Sequence, residues 1–399
     1  MSLRISSSKK TLAVLFGGIS PEHEVSVITG LQVANNADVS KYNILPIYIS
    51  KEGKWFTGSD LINPETYRDL QLIPTKCKKV SFDVNIPQHL ILNTGLFNSS
   101  RRIKIDVAFP CFHGGFGENG ALQGLLDMLE IPYVGSDTLG SSVGMDKVVM
   151  KQLLEQNSIK VAPYIFFFKD IWVTSKIDKL TECENMLKYP MFVKPASSGS
   201  SIGISKVNNR KELENAIDVA FAFDRKVIVE TGIEGFKEIN VSVVGISGNQ
   251  VEVSECEEVF ASKDFLNYED KYVGENGASK GMVSAKREIP AKISMRSKLQ
   301  VQEIAKKAFT VLNAGGLARV DLLLNDESGE CYLIEINTIP GSMSFYLWEA
   351  TNKPFRKLID ELIGIAISVK QIRSEKTTTF SSNILKDFRP SLKSSKLGR

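Results

Sequence analysis

The sequence predicts an α/β unit at the N-terminus followed by α+β units, two or three domains in all. The first third alternates apolar strands with helical patterns. The last part strings long β segments around one strong helix. The chain of 399 residues exceeds one ordinary domain.

The first strand is "TLAVLFGG", a β-branched and aromatic run closed by two glycines. In "SPEHEVSVITGLQVANNA", Ser20 is placed to cap a helix with Pro21 at its first position. "YNILPIYIS" and "IDVAFPCF" are further strands, the latter followed by glycines and the helical pattern "ALQGLLDMLE". This alternation implies βαβ units and a mostly parallel sheet buried on both faces. "SDTLGSSVGMDKVVMKQLLEQN" reads as a helix that opens a new unit, and "MFVKPASSGSSIGISKV" as two strands joined by a small-residue loop. "NNRKELENAIDVAFAF" is a helix with Asn209 as N-cap and Glu212 at capping-box spacing, and "KVIVETGI" returns as a strand. The last part holds the strands "EINVSVVGI", "QVEVSECEEVF", "LARVDLLLN" and "CYLIEIN", with the helix "SMRSKLQVQEIAKKAFTVLN". Between them, "ASKDFLNYEDKYVGENGASKGMVSAK" is polar and aperiodic, the mark of a functional or disordered segment. After "LIDELIGIAISV" the basic, Ser/Thr-rich end reads as a solvated tail, because such composition buries too little surface to order itself.

Composition excludes several classes. The chain is 43% hydrophobic and 24% charged with a net charge of only +3, so it does not advertise nucleic-acid binding. No apolar run approaches the roughly 20 residues needed to span a bilayer, so no membrane partner is expected. "MSLRISSSKK" lacks the apolar core of a signal peptide and reads as a disordered or partly non-native leader. The five cysteines (Cys77, Cys111, Cys183, Cys256 and Cys331) are scattered, which argues against disulfides or zinc and fits a reducing cytoplasm.

Three motifs carry chemistry. "GFGENG" (Gly115, Gly117, Gly120) matches the dinucleotide fingerprint G-x-G-x-x-G, with Asp137 near the expected acidic position. It follows a later strand instead of the first, so the surer reading is a glycine loop whose amides lie at a helix N-terminus. In "KPASSGSS", Lys194 ends a strand and Ser197, Ser198, Gly199, Ser200 and Ser201 form a loop of backbone and hydroxyl donors suited to phosphate. The plain alternative is a flexible hairpin turn. In "YLIEINTIPGSMSFYLWEA", Glu335 and Asn337 are two apart and so share a strand face, as do Arg319 and Asp321 in "ARVDLLLN". Neighbouring strands would bring Asp321, Glu335 and Asn337 together as hard oxygen ligands for Mg²⁺. The alternative is a salt-bridge network with Arg319.

"LFGGISPEHEVS", "HGGFGENGALQGLLDMLEIPYVGSD", "MDK", "KPASSGSSIGISKV", "FLNYEDKY", "RVDLLL" and "IEINTIPG" occur in the order seen in D-alanine–D-alanine ligases of the ATP-grasp superfamily. The resemblance runs from about Thr11 to about Val369. It implies an ATP-grasp fold with an N-terminal Rossmann-like (pre-ATP-grasp) domain over 1–135 that binds the first substrate. A central ATP-grasp subdomain would follow over 136–229. A C-terminal subdomain over 230–369 would carry the metal site and a lid, and 370–399 would be a disordered or peripheral tail. The implied activity joins two D-alanines with ATP, through an acyl phosphate, for peptidoglycan precursors. The family resemblance further implies two Mg²⁺ ions (Mn²⁺ substituting), a homodimer and a cytoplasmic enzyme.

By the same resemblance, Glu24 would hold the first D-alanine's ammonium and form a trio with Ser200 and Tyr272. His113 would lie near the substrates, and Lys271 would reach phosphate and the second substrate. Arg319 and the Gly341 N–H would stabilise the oxyanion. Lys147 and Lys194, with Ser198, Gly199 and Ser201, would hold the nucleotide phosphates. Glu230 and Glu238 would contact adenine and ribose, and Asp321, Glu335 and Asn337 would hold metal. Asn119 stands where the family has aspartate, Lys237 where arginine is common, and Tyr346 where a serine helps hold the second substrate's carboxylate. Tyr346 therefore leaves D-serine as an alternative second substrate, while the pair Lys271–Tyr272 favours an amine nucleophile over D-lactate. A non-catalytic nucleotide-binding relative is the alternative from another class.

Overall fold

Each strand of this chain distributes its side chains between two environments, and the alternation decides where the site lies. The computed structural model describes residues 8–92, 101–199, 202–260, 286–377, 382–383 and 386. Among these residues the strands form three sheets.

The first sheet, ordered β6-β5-β4-β3-β2-β1-β7, comprises β1 (Lys10–Gly17), β2 (Tyr42–Ile49), β3 (Trp55–Thr57), β4 (Lys78–Phe82), β5 (His89–Leu92), β6 (Arg101–Lys104) and β7 (Val107–Pro110). On β1, Leu12, Val14 and Phe16 enter one core while Ala13 and Leu15 enter another, so both faces are buried and the strand is apolar throughout. Helix α1 (His23–Asn36) packs on the first of these faces. A short turn, α2 (Ile73–Lys76), lies at the foot of β4, and α3 (Ala121–Met128) adds Leu122 and Leu126 to the second. The expectation of a mostly parallel sheet is corrected. Among the described residues the parallel strand pairs are β1–β2 and β1–β7, with one parallel bridge from Ala108 to Tyr133, and the ladder from β2 to β6 is antiparallel. The added strands are short and lie in a stretch without strong periodicity. Ser20 does not cap α1 either: its Oγ donates to the His113 carbonyl and accepts from the Glu22 N–H, and the helix starts at His23.

The expected single helix over 136–157 is two, α4 (Thr138–Met145) and α5 (Lys147–Gln156). Asp146 breaks the run by accepting from the N–H groups of Val148 and Val149 at 3.0 and 3.1 Å, an N-cap in the middle of the pattern. Asp137, the acidic residue of the dinucleotide fingerprint, caps α4 through the Gly140 N–H at 2.9 Å, so its place is structural.

The second sheet, ordered β10-β9-β11-β8, comprises β8 (Tyr164–Phe168), β9 (Met191–Pro195), β10 (Ser205–Val207) and β11 (Lys226–Thr231). Its helices, α6 (Lys169–Met186) and α7 (Arg210–Ala220), bury one face against Ile165, Phe167, Val193, Val227 and Val229. Asn209 caps α7 as expected, while the Glu212 carboxylate reaches back to the Asn208 N–H at 2.8 Å.

The third sheet, ordered β14-β13-β12-β15-β16, comprises β12 (Lys237–Ile246), β13 (Glu252–Phe260), β14 (Lys286–Glu288), β15 (Gly315–Asn325) and β16 (Glu330–Asn337). Ile239, Val241 and Val243, with Ala318, Val320 and Leu322, pack against α8 (Met295–Val311). The residues between them, Asn240, Ser242, Arg319 and Asp321, therefore face the other way.

The chain continues through α9 (Phe345–Glu349) to α10 (Phe355–Ser374), whose Leu358, Ile359, Leu362 and Ile363 pack into the core of the first sheet. The expectation of a peripheral tail from 370 is corrected for its first residues. Helix α10 runs to Ser374, and Arg373 is paired with Asp127 and, at 3.1 Å, with Asp137.

Candidate active site

The polar face of the third sheet is one continuous row. Glu257 on β13 stands opposite Asn240 on β12, Asn240 opposite Asp321 on β15, and Asp321 opposite Glu335 on β16. The adjacent row carries Ser242, Arg319 and Asn337. Arg319 donates to both oxygens of Asp321 at 2.6 Å, and Asn337 Nδ2 donates to Asp321 Oδ2 at 3.0 Å. The expected meeting of Asp321, Glu335 and Asn337 is thus made by strand register, with Arg319 beside them. Burial opposes the Arg319 charge, but Asp321 outweighs it and holds the guanidinium well above its ordinary range. Glu238 lies on the same face, two residues from Asn240.

The donor set suits a hard divalent cation, because two carboxylates and an amide oxygen share one sheet face. Arg319 and Asn337 both donate to Asp321 Oδ2, and Arg319 also donates to Oδ1, so the ion-pair network with Arg319 is formed at the same carboxylate.

On the second sheet, Phe192, Glu230 and Tyr164 form one row and Lys194, Ile228 and Phe166 the next, opposite the helical core. Lys194 Nζ donates to Glu230 Oε2 at 2.6 Å, and Lys147 Nζ donates to the Ser198 carbonyl at 2.6 Å. Burial pulls the Lys147 ammonium below the usual lysine range, and the charges of Glu335 and Glu230 oppose the fall. Lys147 is thereby coupled to both polar faces.

Gly199, in the serine loop, faces Glu22: a Cβ built there would lie 3.0 Å from Glu22 Oε2. A Cβ on Gly114 (φ +67°) would lie 2.6 Å from the same oxygen. The structure thus brings Glu22, and not Glu24, to the site. Glu24 is exposed and paired with Lys51, whereas Glu22 is buried. The assignment of Glu24 is corrected on this ground. The two glutamates flank His23 in "EHE", and only the turn that precedes α1 decides which one points inward.

His113 is buried, and its Nε2 is 2.8 Å from Thr29 Oγ1, which in turn accepts the Ser342 N–H at 3.1 Å. Burial pushes the His113 ring down to about 4, so the imidazole is neutral at pH 7. Glu118 in the same glycine loop accepts the Gly114 N–H at 2.9 Å, and burial together with the nearby Glu22 charge pushes its carboxyl up to about 8. Both His113 and Glu118 also bond to the backbone of Ile339, which ties the glycine loop to the turn before Gly341.

After Gly341 the backbone is strained. Ser342, Met343 and Ser344 have φ of 53°, 53° and 45°, three consecutive left-handed residues without a glycine. Each costs roughly 1–2 kcal/mol, and such strain collects at functional sites. The turn carries Tyr346 into the polar row. Its hydroxyl is a stretched 3.4 Å from Glu257 Oε2, and its ring lies 5.0 Å from the Arg287 guanidinium. Arg287 Nε pairs with Glu257 Oε1 at 3.2 Å.

Ser200, Ser201, Lys271 and Tyr272 lie outside the described residues. Sequence reasoning missed Glu22, Thr29, Lys151, Asn240 and Glu257. Lys151 had a signal, being four residues after Lys147 on one helix face. Glu257 had only its alternation along β13.

Two sheets that each bury one face under helices and leave a polar face, with Lys147 in the field of Glu230 on one and Glu335 on the other, match the ligases of the ATP-grasp class. Residues 11–136 match the family profile described as D-ala D-ala ligase N-terminus, and residues 153–364 that of the D-ala D-ala ligase C-terminus. The chain belongs to the D-alanine–D-alanine ligase family. It is 40% identical over 378 residues to the D-alanine–D-alanine ligase of Thermosipho melanesiensis, covering 94% of this chain and 98% of the relative. It is 40% identical over 368 residues to that of Clostridium acetobutylicum, covering 90% and 98%. Among solved structures, the VanG D-Ala:D-Ser ligase of Enterococcus faecalis superposes with a TM-score of 0.76 at 32% identity, covering 90% and 99% of the two chains. The D-alanine–D-alanine ligase of Bacillus anthracis complexed with ATP superposes with a TM-score of 0.64 at 26% identity, covering 91% and 99%.

Proposed function

We infer that this chain condenses two D-alanines to D-alanyl-D-alanine with ATP as phosphoryl donor. The observation that carries the reading is the strand register that sets Arg319 and Asp321 opposite Asn337 and Glu335, within the field of the buried Lys147. A carboxylate oxygen of the first D-alanine attacks the γ-phosphorus, ADP departs, and an acyl phosphate forms. The amine of the second D-alanine attacks the acyl carbon, inorganic phosphate leaves, and the amine proton passes to solvent.

Glu22 binds the first substrate's ammonium, in place of Glu24, with the serine loop closing over it. Neutral His113, held through Thr29, fixes the turn that presents the Gly341 N–H. Arg319 and that N–H receive the negative charge that develops on the acyl oxygen. Lys147 and Lys194 hold the nucleotide phosphates, with Ser198, Gly199 and Ser201 as loop donors, and Glu230 and Glu238 flank the nucleoside. Asp321, Glu335 and Asn337 would hold Mg²⁺, two ions with Mn²⁺ able to substitute, which when bound neutralises phosphate charge. Ser200, Lys271 and Tyr272, outside the described residues, would complete the site by resemblance. The proposed units are 1–135, 136–229 and 230–369, each built around one sheet, although β11 extends to Thr231 and α10 packs on the first sheet.

A cytoplasmic homodimer is the proposed form. All five cysteines are buried and free, and among the described residues no helix is long and apolar enough to cross a membrane.

The test is incubation with Mg-ATP and D-alanine, following phosphate release and dipeptide mass. A second reading, D-serine as the second substrate, is favoured by Tyr346. It predicts turnover only with a D-alanine and D-serine mixture, and that result would displace the first. ATP binding without turnover on either would point to a non-catalytic relative.

A further inference from the structure

Glu230 is shared between two ammonium groups. Lys194 Nζ takes Oε2 at 2.6 Å, and Lys151 Nζ lies 3.1 Å from Oε1. Lys151 is 1% exposed and Glu230 is 4% exposed. Lys151 belongs to α5 and Glu230 to β11, so the pair ties the helix to the polar sheet face where Val148 packs on Ile228. The Lys151 ammonium also lies 5.8 Å from the centre of the Tyr164 ring, across the ladder from Glu230.

A buried carboxylate with one ammonium is a neutral pair, and its lysine has little charge left for a ligand. A second ammonium on the same carboxylate changes this balance. Lys151, Lys194 and Glu230 together carry one excess positive charge, in a place where water cannot screen it. Burial favours the neutral Glu230 acid, but the two lysines outweigh it and hold the carboxyl down to about 2, so the carboxylate stays charged. Burial also pulls Lys151 below the usual lysine range, against the opposing Glu230 charge.

We propose that Lys151 is a positioning residue of the nucleotide phosphate site: it takes up the charge of Glu230 and so leaves the charge of Lys194 for a phosphate-bearing anion. Lys151 touches no phosphate itself. The inference rests on the reading of Lys194 as a phosphate lysine and assigns a role to a residue that reading does not use.

Charge counting over these three groups gives an order that a packing role does not. The net charge is +1 in the unaltered protein, zero in Lys151→Met, +2 in Glu230→Gln, and +1 again in the double variant. The probe is inorganic tripolyphosphate with Mg²⁺, measured by calorimetry on the full chain, because it lacks the base that Glu230 would contact. Lys151→Met is expected to weaken binding at least tenfold. The double variant should return to within threefold of the unaltered protein, and Glu230→Gln should bind as tightly or more tightly. In steady state, Lys151→Met should raise KM for ATP with KM for D-alanine unchanged.

A double variant no better than Lys151→Met, or a Glu230→Gln protein that binds tripolyphosphate more weakly, overturns the inference. Should Lys151→Met not fold, the other three proteins decide it by the same order. If the unaltered protein binds neither tripolyphosphate nor Mg-ATP, the phosphate-site reading falls and this inference with it. Binding that departs from the order removes the role of Lys151 alone.

Discussion

The carboxylate-bearing residues Asp321 and Glu335 are direct cross-strand partners on β15 and β16, and the ladder shifts register immediately after Asp321. Directly paired residues share a sheet face, so two acidic groups stand together where like charges would repel. Arg319 offsets one of them through two hydrogen bonds. A divalent cation would offset the remainder. Chelation is therefore expected to abolish turnover, with recovery on adding Mg²⁺ and lesser recovery on Mn²⁺. Asn337→Leu should reduce turnover at least about 100-fold, since losing a partner behind a metal ligand typically costs 10–100-fold and Asn337 is proposed as a ligand itself. Near-normal activity in that variant would remove Asn337 from the site.

Glu22 and Glu24 give a contrast within three residues. Glu22→Gln removes a buried charge facing Gly114 and Gly199, and should raise KM for the first D-alanine by roughly tenfold or more, the scale of a lost charge-assisted hydrogen bond. Glu24→Gln removes one exposed partner of Lys51 and should change both kinetics and stability little, within about 0.5 kcal/mol. Initial-rate kinetics over D-alanine concentration checks both variants.

The pH dependence of stability has two opposing contributions. His113 titrates near 4 in the folded protein, below its ordinary value of 6.5. The unfolded chain binds the extra proton between those values, so stability falls as pH drops from 6.5 toward 4. Glu118 titrates near 8, above its ordinary value of 4.5, so its contribution is complete below 4.5 and is lost as pH rises toward 8. The two slopes offset each other between 4.5 and 6.5, and Glu118 acts without His113 from 6.5 to 8. Denaturation midpoints should fall over that upper window, by at most about 1.4 kcal/mol per pH unit, and Glu118→Gln should flatten the fall. A midpoint equally steep in the variant would assign the slope elsewhere.

Tyr346 is held by Glu257 and Arg287 at the end of a left-handed turn, so its ring is a fixed wall beside Arg319. Tyr346→Ser reshapes the pocket for the second amino acid and should lower the share of D-alanyl-D-serine formed from an equal mixture of D-alanine and D-serine. A change of about 1–3 kcal/mol in discrimination, 10–200-fold, is the scale for reshaping such a pocket. An unchanged product ratio by mass spectrometry would take Tyr346 out of the acceptor pocket.

Arg373 joins the last turn of α10 to α3 and α4 through Asp127 and Asp137. Ending the chain after Val369 removes this clamp, and should lower stability by about 1–2 kcal/mol, more than the median exposed pair because several partners are lost together. Ending it after Lys376 should cost nothing measurable in the denaturation midpoint. Equal midpoints for the two truncations would show that the clamp contributes nothing.

The sequence by itself determined the elements whose signals are local. Period-two alternation in "ARVDLLLN" and "CYLIEIN" was enough to place Arg319, Asp321, Glu335 and Asn337 on shared faces, and β15 and β16 then pair in that arrangement. The N-cap at Asn209 was legible for the same reason: it depends on residues only a few positions apart. What the tertiary structure decided depends on contacts distant in sequence. The turn before α1 points Glu22 inward and Glu24 outward because Ser20 is bound to the His113 carbonyl, 93 residues away. The antiparallel strands β3 to β6 take their order from pairing, and Lys151 has a role only because β11 brings Glu230 across to α5. Local sequence fixes which face a side chain occupies. Burial and charge pairing across the chain fix what that side chain meets, and neither is written in the spacing of neighbouring residues.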